Sequence, residues 1–287
     1  MVSTSVLLFG ATGWIGGMLV PLLKSAGCAI TPATSRLEDA DAVEAELDAI
    51  RPERVVLAAG ITGRPNVDWC ETHVCETQAV NHAGTVALAV ACAVRGIHIT
   101  NFSTGCVFQY DAAHPIGGEP FPEDAYPNYA MSVYSMSKAA AEMETRSRCP
   151  TQLLFRIRLP VTADGAPRCL LTKLTSFASV VDIPDSVSVL PSLLPLAAEM
   201  IATGDLGVFN LVNPGPVTPA DLLQVYQAEV NPAFRFTIAP GSGNGTTKRP
   251  HNALGTKKLQ ARFPSRTLPS AMEAVTHLLR GHKTEHK

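Results

Sequence analysis

Tyr134 and Lys138 stand four residues apart in a stretch, Ser132–Arg148, whose pattern predicts a helix. That spacing puts both side chains on one helical face. An ammonium beside a phenol favours the phenolate and lowers its pKa. Such a pair is suited to hand a proton to a carbonyl oxygen while hydride reaches the carbon, and the lysine can also hold a nicotinamide ribose. Upstream, Asn101-Phe102-Ser103-Thr104 predicts the end of a strand, where Thr104 would complete a hydroxyl–phenol–ammonium set. Asn81, inside a long helical pattern, is a candidate buttress for that set.

The second chemical signal is Gly10-Ala11-Thr12-Gly13-Trp14-Ile15-Gly16, followed by Gly17, directly after an apolar run. Glycines permit a tight turn and let the N–H groups of a following helix approach a pyrophosphate. Gly10, Thr12, Gly13, Trp14, Ile15 and Gly16 are therefore candidate dinucleotide contacts. Ala58, Ala59 and Gly60, after the third predicted strand, join them, as do Asn81, Tyr134 and Lys138. A site that prefers NAD usually carries Asp or Glu at the end of the second strand. Here Ala33-Thr34-Ser35-Arg36 follows instead, and Arg36 is suited to a 2′-phosphate. NADPH is the expected cofactor.

These groups need a scaffold that brings strand ends together. Strands are predicted at Val6–Phe9, Ala29–Thr31, Val55–Ala58, Ile97–Phe102 and Leu153–Ile157, with helices at Ile15–Ala26, Ala40–Ile50, His73–Arg95 and Ser132–Arg148. That alternation implies right-handed crossovers and an α/β fold, a doubly wound parallel Rossmann sheet. The division expected is a dinucleotide-binding domain over 1–158 and a smaller, mainly substrate-binding lobe over 159–287, with about 205–215 returning to the sheet. Prolines punctuate the second part. A strand is predicted at Val208–Val212, a Thr218-capped helix over Ala220–Glu229, a Gly-rich loop at Gly241–Lys248, and a last helix at Pro269–Leu279 with a frayed tail after Gly281.

Composition narrows the function classes. The chain has 287 residues, 46% of them hydrophobic, and a net charge of −2, so a large core can form and no basic stripe points to nucleic acid. The seven cysteines lack CxxC spacing, which argues against a disulfide framework or a zinc site. No signal peptide is visible and no apolar run reads as a membrane span, so a cytoplasmic location is expected.

Longer motifs carry a resemblance. Gly13-Trp14-Ile15-Gly16-Gly17, the run from Gly60 through Thr62-Gly63-Arg64-Pro65-Asn66-Val67-Asp68-Trp69-Cys70-Glu71, and Thr104-Gly105-Cys106-Val107-Phe108-Gln109-Tyr110-Asp111 resemble the bifunctional nucleotide-rhamnose synthase/epimerase-reductase family. Its members are eukaryotic and viral relatives of dTDP-4-dehydrorhamnose reductase within the extended short-chain dehydrogenase/reductases. The likeness continues through Tyr134–Lys138, Val180–Pro184, Leu193–Pro195 and Asn213–Gly215.

The resemblance implies a 3,5-epimerase/4-reductase that converts a UDP- or dTDP-linked 4-keto-6-deoxyglucose to the β-L-rhamnosyl nucleotide with NADPH. A 4-ketone acidifies the hydrogens on both neighbouring carbons and then accepts hydride. The epimerising pair implied is Cys106 and Lys173; a Cys and a His serve that chemistry in the related GDP-fucose synthases. Substrate contacts implied are Arg64, Asn66, Asp68, Thr104, Gly105, Cys106, Arg249 and Asn252, and no metal. A separate 4,6-dehydratase would supply the substrate, and a homodimer is a candidate assembly. Gln109 departs from the Glu expected in plant members, which bears on the epimerase half. The competing readings are a reductase without epimerase activity and a catalytically silent regulatory subunit of the same fold.

Overall fold

Short runs that are apolar on both faces make strands that need cover on both sides. A computed structural model of the protein describes residues 3–64, 66–239 and 249–285, and shows that arrangement. The Gly-rich loop expected at 241–248 and Pro65 lie outside the described residues. The chain opens with β1 (Thr4–Phe9), α1 (Trp14–Ser25), β2 (Cys28–Pro32), α2 (Ala40–Ile50) and β3 (Arg54–Leu57). Short α3 (Trp69–Thr72) and α4 (Val74–Gln78) lead through a π-helical turn (Ala79–Gly84) into α5 (Thr85–Val94). Next come β4 (His98–Thr104), a 3₁₀ turn (Gly105–Val107), α6 (Val133–Arg148) and β5 (Gln152–Ile157). The remainder comprises β6 (Pro160–Val161), α7 (Leu170–Leu174), β7 (Ser179–Val180), β8 (Ser188–Val189), α8 (Leu190–Thr203), β9 (Gly207–Asn210), α9 (Pro219–Glu229), β10 (Thr237–Ile238), α10 (Lys257–Arg262) and α11 (Ala271–Glu285).

The main sheet has six strands in the order β2-β1-β3-β4-β5-β9. β1 runs parallel to both β2 and β3, and β3 to β4. The winding reverses between β1 and β3, and ligands of such sheets bind beyond the strand ends at that switch point. Leu7, Phe9, Val55, Leu57 and Ile99 form one buried layer with Val43 and Leu47 of α2 and Leu88 and Cys92 of α5. Val6, Leu8 and Val56, which point to the other face, are equally buried.

By internal contacts the chain forms two units: 1–107 with 126–155 and 194–209, and 108–125 with 156–193 and 210–287. Residues 108–125, expected within the first domain, thus cluster with the second unit, while β9 joins the main sheet. In the second unit β6 pairs with β8 and β7 with β10. Thr218 caps α9 through a reciprocal box with Asp221, and Pro219 takes the first turn.

Several elements differ from expectation. The helix expected over 73–95 runs from Val74 to Val94 but contains the π turn, where Gly84 lies so close to the loop after β2 that a Cβ would sit 2.3 Å from the Leu37 carbonyl oxygen. By length and composition Val74–Val94 could cross a bilayer, contrary to the sequence reading; in the fold its segments pack on α6. Helix α8 was hidden by Pro191 and Pro195, yet it forms because Leu193, Leu194, Ala197, Met200 and Ile201 are all buried. The backbone of α11 stays helical past Gly281 to Glu285, where fraying was expected.

Candidate active site

Gly10 follows β1 with φ +84°, and a Cβ there would lie 2.7 Å from the Ala59 nitrogen. At Gly16 a Cβ would lie 2.0 Å from the Gly10 oxygen. These two close approaches fold the turn against the start of α1. Gly13 caps that helix in extended conformation, donates to the Gly10 carbonyl at 2.9 Å, and brings no side chain to the helix end. The first turn of α1 holds no acid. An N-terminus that no side chain caps, approached by glycine backbone, suits a diphosphate. Thr12 is exposed, and Trp14 and Ile15 are half-buried beside it. A dinucleotide therefore fits the residues present.

Across the switch point, Ala58 donates to the Phe9 carbonyl at 2.9 Å, and Gly60 follows, exposed. A Cβ on Gly60 would lie 3.2 Å from Lys138 Nζ and 3.3 Å from Asn81 Oδ1, so the glycine leaves room where these two groups converge. The π turn carries Asn81, fully buried, whose amide accepts from the Ile61 N–H at 2.8 Å and donates to the Ile61 carbonyl at 2.7 Å. One side chain thus satisfies both backbone groups of the residue after Gly60. π turns recur at functional sites because they re-aim one side chain within a helix.

Tyr134 and Lys138 both lie on α6 and are buried. Burial pushes the Lys138 ammonium down from 10.5 to about 8. Ser132 caps α6 by accepting from the Ser135 N–H at 3.1 Å, and the Ser135 hydroxyl donates to the Cys106 carbonyl at 2.8 Å. Thr104 ends β4, buried, and its hydroxyl accepts from the Cys106 N–H at 3.1 Å. Gly105 and Cys106 lie in the 3₁₀ turn so formed, with Cys106 half-buried. Helix α6 and the turn after β4 are thereby fastened together.

Arg64 is exposed on the loop after β3. Asn66 Oδ1 accepts from the Asp68 N–H at 2.7 Å, and Asp68 is exposed at the start of α3. Glu71 of α3 was not singled out from sequence; its carboxylate accepts from the Val133 N–H at 2.8 Å. Arg36 is also exposed, with its Nε 3.2 Å from Glu38. Glu46 of α2, equally unforeseen, binds Thr34 and Ser35. Neither contact has a local sequence signal, because each joins residues distant along the chain.

In the second unit, Lys173 lies half-buried on α7. Burial, then the charges of Arg249 and Arg168, hold its ammonium below the ordinary lysine value. Arg249 is exposed, but the chain after it is anchored. Arg158 donates to the Pro250 carbonyl and, at 2.7 Å, to Asp185, which also holds His251 Nδ1 at 2.6 Å. Gln109 Oε1 accepts from the His251 N–H at 2.9 Å, a backbone tie within this unit. Asn252 is fully buried, donates to the Phe108 carbonyl at 2.8 Å, and braces the segment. All seven cysteines are free.

Comparison with known proteins bears on the same residues. The family model described as RmlD substrate binding domain matches residues 4–165. A bifunctional dTDP-4-dehydrorhamnose 3,5-epimerase/dTDP-4-dehydrorhamnose reductase of Arabidopsis thaliana is 39% identical over 267 residues, covering 91% of this chain and 88% of that protein. A trifunctional UDP-glucose 4,6-dehydratase/3,5-epimerase/reductase of the same plant is 40% identical, and the match spans 40% of its length. The crystal structure of the L780 UDP-rhamnose synthase from Acanthamoeba polyphaga mimivirus superposes with a TM-score of 0.90 at 29% identity, over 97% of this chain and 99% of that one. The dTDP-4-dehydrorhamnose reductase of Bacillus anthracis, solved with NADP, shares the fold at a TM-score of 0.82 and 21% identity, over 99% and 100% of the two chains. The glycine turn, the Asn81 clamp and the Tyr134–Lys138 helix therefore sit in a chain that belongs to the RmlD family, with the extended short-chain dehydrogenase/reductase fold.

Proposed function

We propose that this protein reduces the 4-keto group of a nucleotide-linked 4-keto-6-deoxy sugar with NADPH, after inverting C3 and C5, to give UDP- or dTDP-β-L-rhamnose. The observation that carries the reading is Lys138, a buried ammonium next to Gly60 and Asn81, on the helix that bears Tyr134. Gly10, Thr12, Gly13, Trp14, Ile15 and Gly16 would hold the diphosphate of the cofactor, Ala58 to Gly60 and Asn81 its nicotinamide side, and Arg36 its 2′-phosphate. When bound, the nicotinamide supplies the hydride that reduces C4. Tyr134 gives its phenolic proton to the C4 oxygen, and solvent later restores it. With a folded pKa of about 8, Lys138 is largely charged at neutral pH and lowers the cost of the tyrosinate left behind. Thr104 orients the carbonyl by a hydrogen bond.

Epimerisation needs only proton movements. A base removes the hydrogen from C3 or C5, the 4-ketone holds the charge as an enolate, and an acid returns a proton to the opposite face. Cys106 and Lys173 are the pair assigned. The lowered pKa of Lys173 supports its part, because a general base works best with a pKa near the operating pH. Arg249 faces the substrate diphosphate, and Arg64, Asn66 and Asp68 its sugar. A 4,6-dehydratase supplies the keto sugar.

The test is incubation with UDP- and dTDP-4-keto-6-deoxyglucose plus NADPH, with the product sugar identified by NMR. Rhamnosyl nucleotide is the expected product. A 6-deoxyhexose with C3 and C5 unchanged would leave a reductase alone, and no turnover on either sugar would overturn the reading.

A further inference from the structure

One carboxylate takes every donor that the loop after β2 offers at two consecutive residues. Glu46 Oε1 accepts from the Thr34 N–H at 2.7 Å and from the Thr34 hydroxyl at 2.7 Å. Its Oε2 accepts from the Ser35 N–H at 3.0 Å and from the Ser35 hydroxyl at 2.5 Å. Two adjacent backbone N–H groups flanked by two hydroxyls form an anion nest of the kind a phosphate uses. Here the nest is filled by a side chain of the protein itself, reaching back from the second turn of α2.

The position of that nest gives it meaning. In a doubly wound sheet the end of the second strand meets the 2′ position of the adenosine ribose. NADH presents a neutral hydroxyl there, which can donate to a carboxylate. NADPH presents a phosphate, which must displace Glu46 or lie beside a second anion. Arg36, the cation of this loop, already has Glu38 at 3.2 Å. We propose that Glu46 is a cofactor-selecting residue that weakens the preference for the 2′-phosphate set by Arg36 and so lets the enzyme accept both NADPH and NADH. The assignment rests on the dinucleotide reading given above. Glu46 is ionised at neutral pH: burial raises its pKa, but the hydrogen bonds from Ser35 and Thr34 outweigh this and lower it overall.

The experiment measures dissociation constants of NADPH and NADH by fluorescence titration, and of 2′,5′-ADP against 5′-ADP by calorimetry. The full chain is compared with Glu46→Gln, Glu46→Ala and the charge-keeping Glu46→Asp, each checked for folding by circular dichroism. Loss of the charge should raise the NADPH-to-NADH affinity ratio about five- to thirty-fold, with the same trend in the two ADP probes. Glu46→Asp should stay near wild type, and its ratio is decisive if the neutral variants do not fold: a rise there overturns the assignment. So does a ratio that is unchanged or lower in both neutral variants. If wild type binds neither dinucleotide, the dinucleotide reading falls and this assignment with it, an outcome distinct from binding that is merely indifferent to Glu46.

Discussion

The Glu71 carboxylate accepts the Val133 backbone N–H at 2.8 Å, one residue before Tyr134. A negative group at a helix N-terminus satisfies an orphan donor and favours the helix dipole. It also ties the far end of the loop that begins at Gly60 to the helix bearing Tyr134, the proposed proton donor. Glu71→Ala should therefore lower kcat about tenfold while leaving NADPH affinity within about twofold. Glu71→Gln, which keeps an acceptor, should recover most of the loss. A wild-type kcat for Glu71→Ala would show that the tie does not position Tyr134.

Lys138 should cost the fold stability. Its pKa is about 8 in the folded protein and 10.5 ordinarily, so between those values the unfolded chain binds the extra proton. This group's contribution therefore rises with pH from about 8 to about 10.5, and the full penalty, on the order of 3 kcal/mol, applies below pH 8. Lys138→Met should melt higher than wild type at pH 7 by several degrees, with the gap closing towards pH 10.5. The variant should also lose reductase activity. An equal or lower melting temperature at pH 7 would mean the ammonium is compensated in place.

Tyr134→Phe removes the proposed proton donor, while the ring remains to fill a buried site. Reduction should fall about a hundred- to ten-thousand-fold, as is usual for a general acid. Dinucleotide affinity, measured by fluorescence titration, should change little. Near-normal NADPH oxidation would remove Tyr134 from its role.

The two halves of the reaction should separate. In D₂O, wild type should place deuterium at C3 and C5, whereas Cys106→Ala and Lys173→Ala should lose that exchange at one or both carbons. Each should still oxidise NADPH slowly and release an unepimerised 6-deoxyhexose. Wild-type deuterium incorporation in both variants would make the pair structural and leave a reductase without epimerase activity.

Features that depend on neighbours in the chain were legible in the sequence. The Gly10–Gly16 turn, the i, i+4 pair on α6 and the Thr218 cap are all local, and each lies where its spacing placed it. Helix α8 was not legible, because two prolines signalled breaks and the burial that overrides them is a tertiary effect. The acid missing after β2 illustrates the same limit: Glu46 reaches that loop from eleven residues beyond Ser35, across a helix start. The bond from Asn252 to the Phe108 carbonyl was not legible either, because it joins residues far apart along the chain.

The sheet order has a consequence for how the polypeptide is made. β5 and β9 are neighbours in the sheet, but about fifty residues separate them, so translation at ~5–20 residues per second leaves the β5 flank bare for roughly 3–10 s. A bare strand flank is a template for pairing with other chains. On the ribosome this interval is a window in which the nascent chain can be captured by a chaperone or by its own kind. A chain cut after β5 would keep that window open permanently, so expression of the first five main strands alone should give aggregates, even though every residue of the glycine turn and of the Tyr134–Lys138 helix would be present.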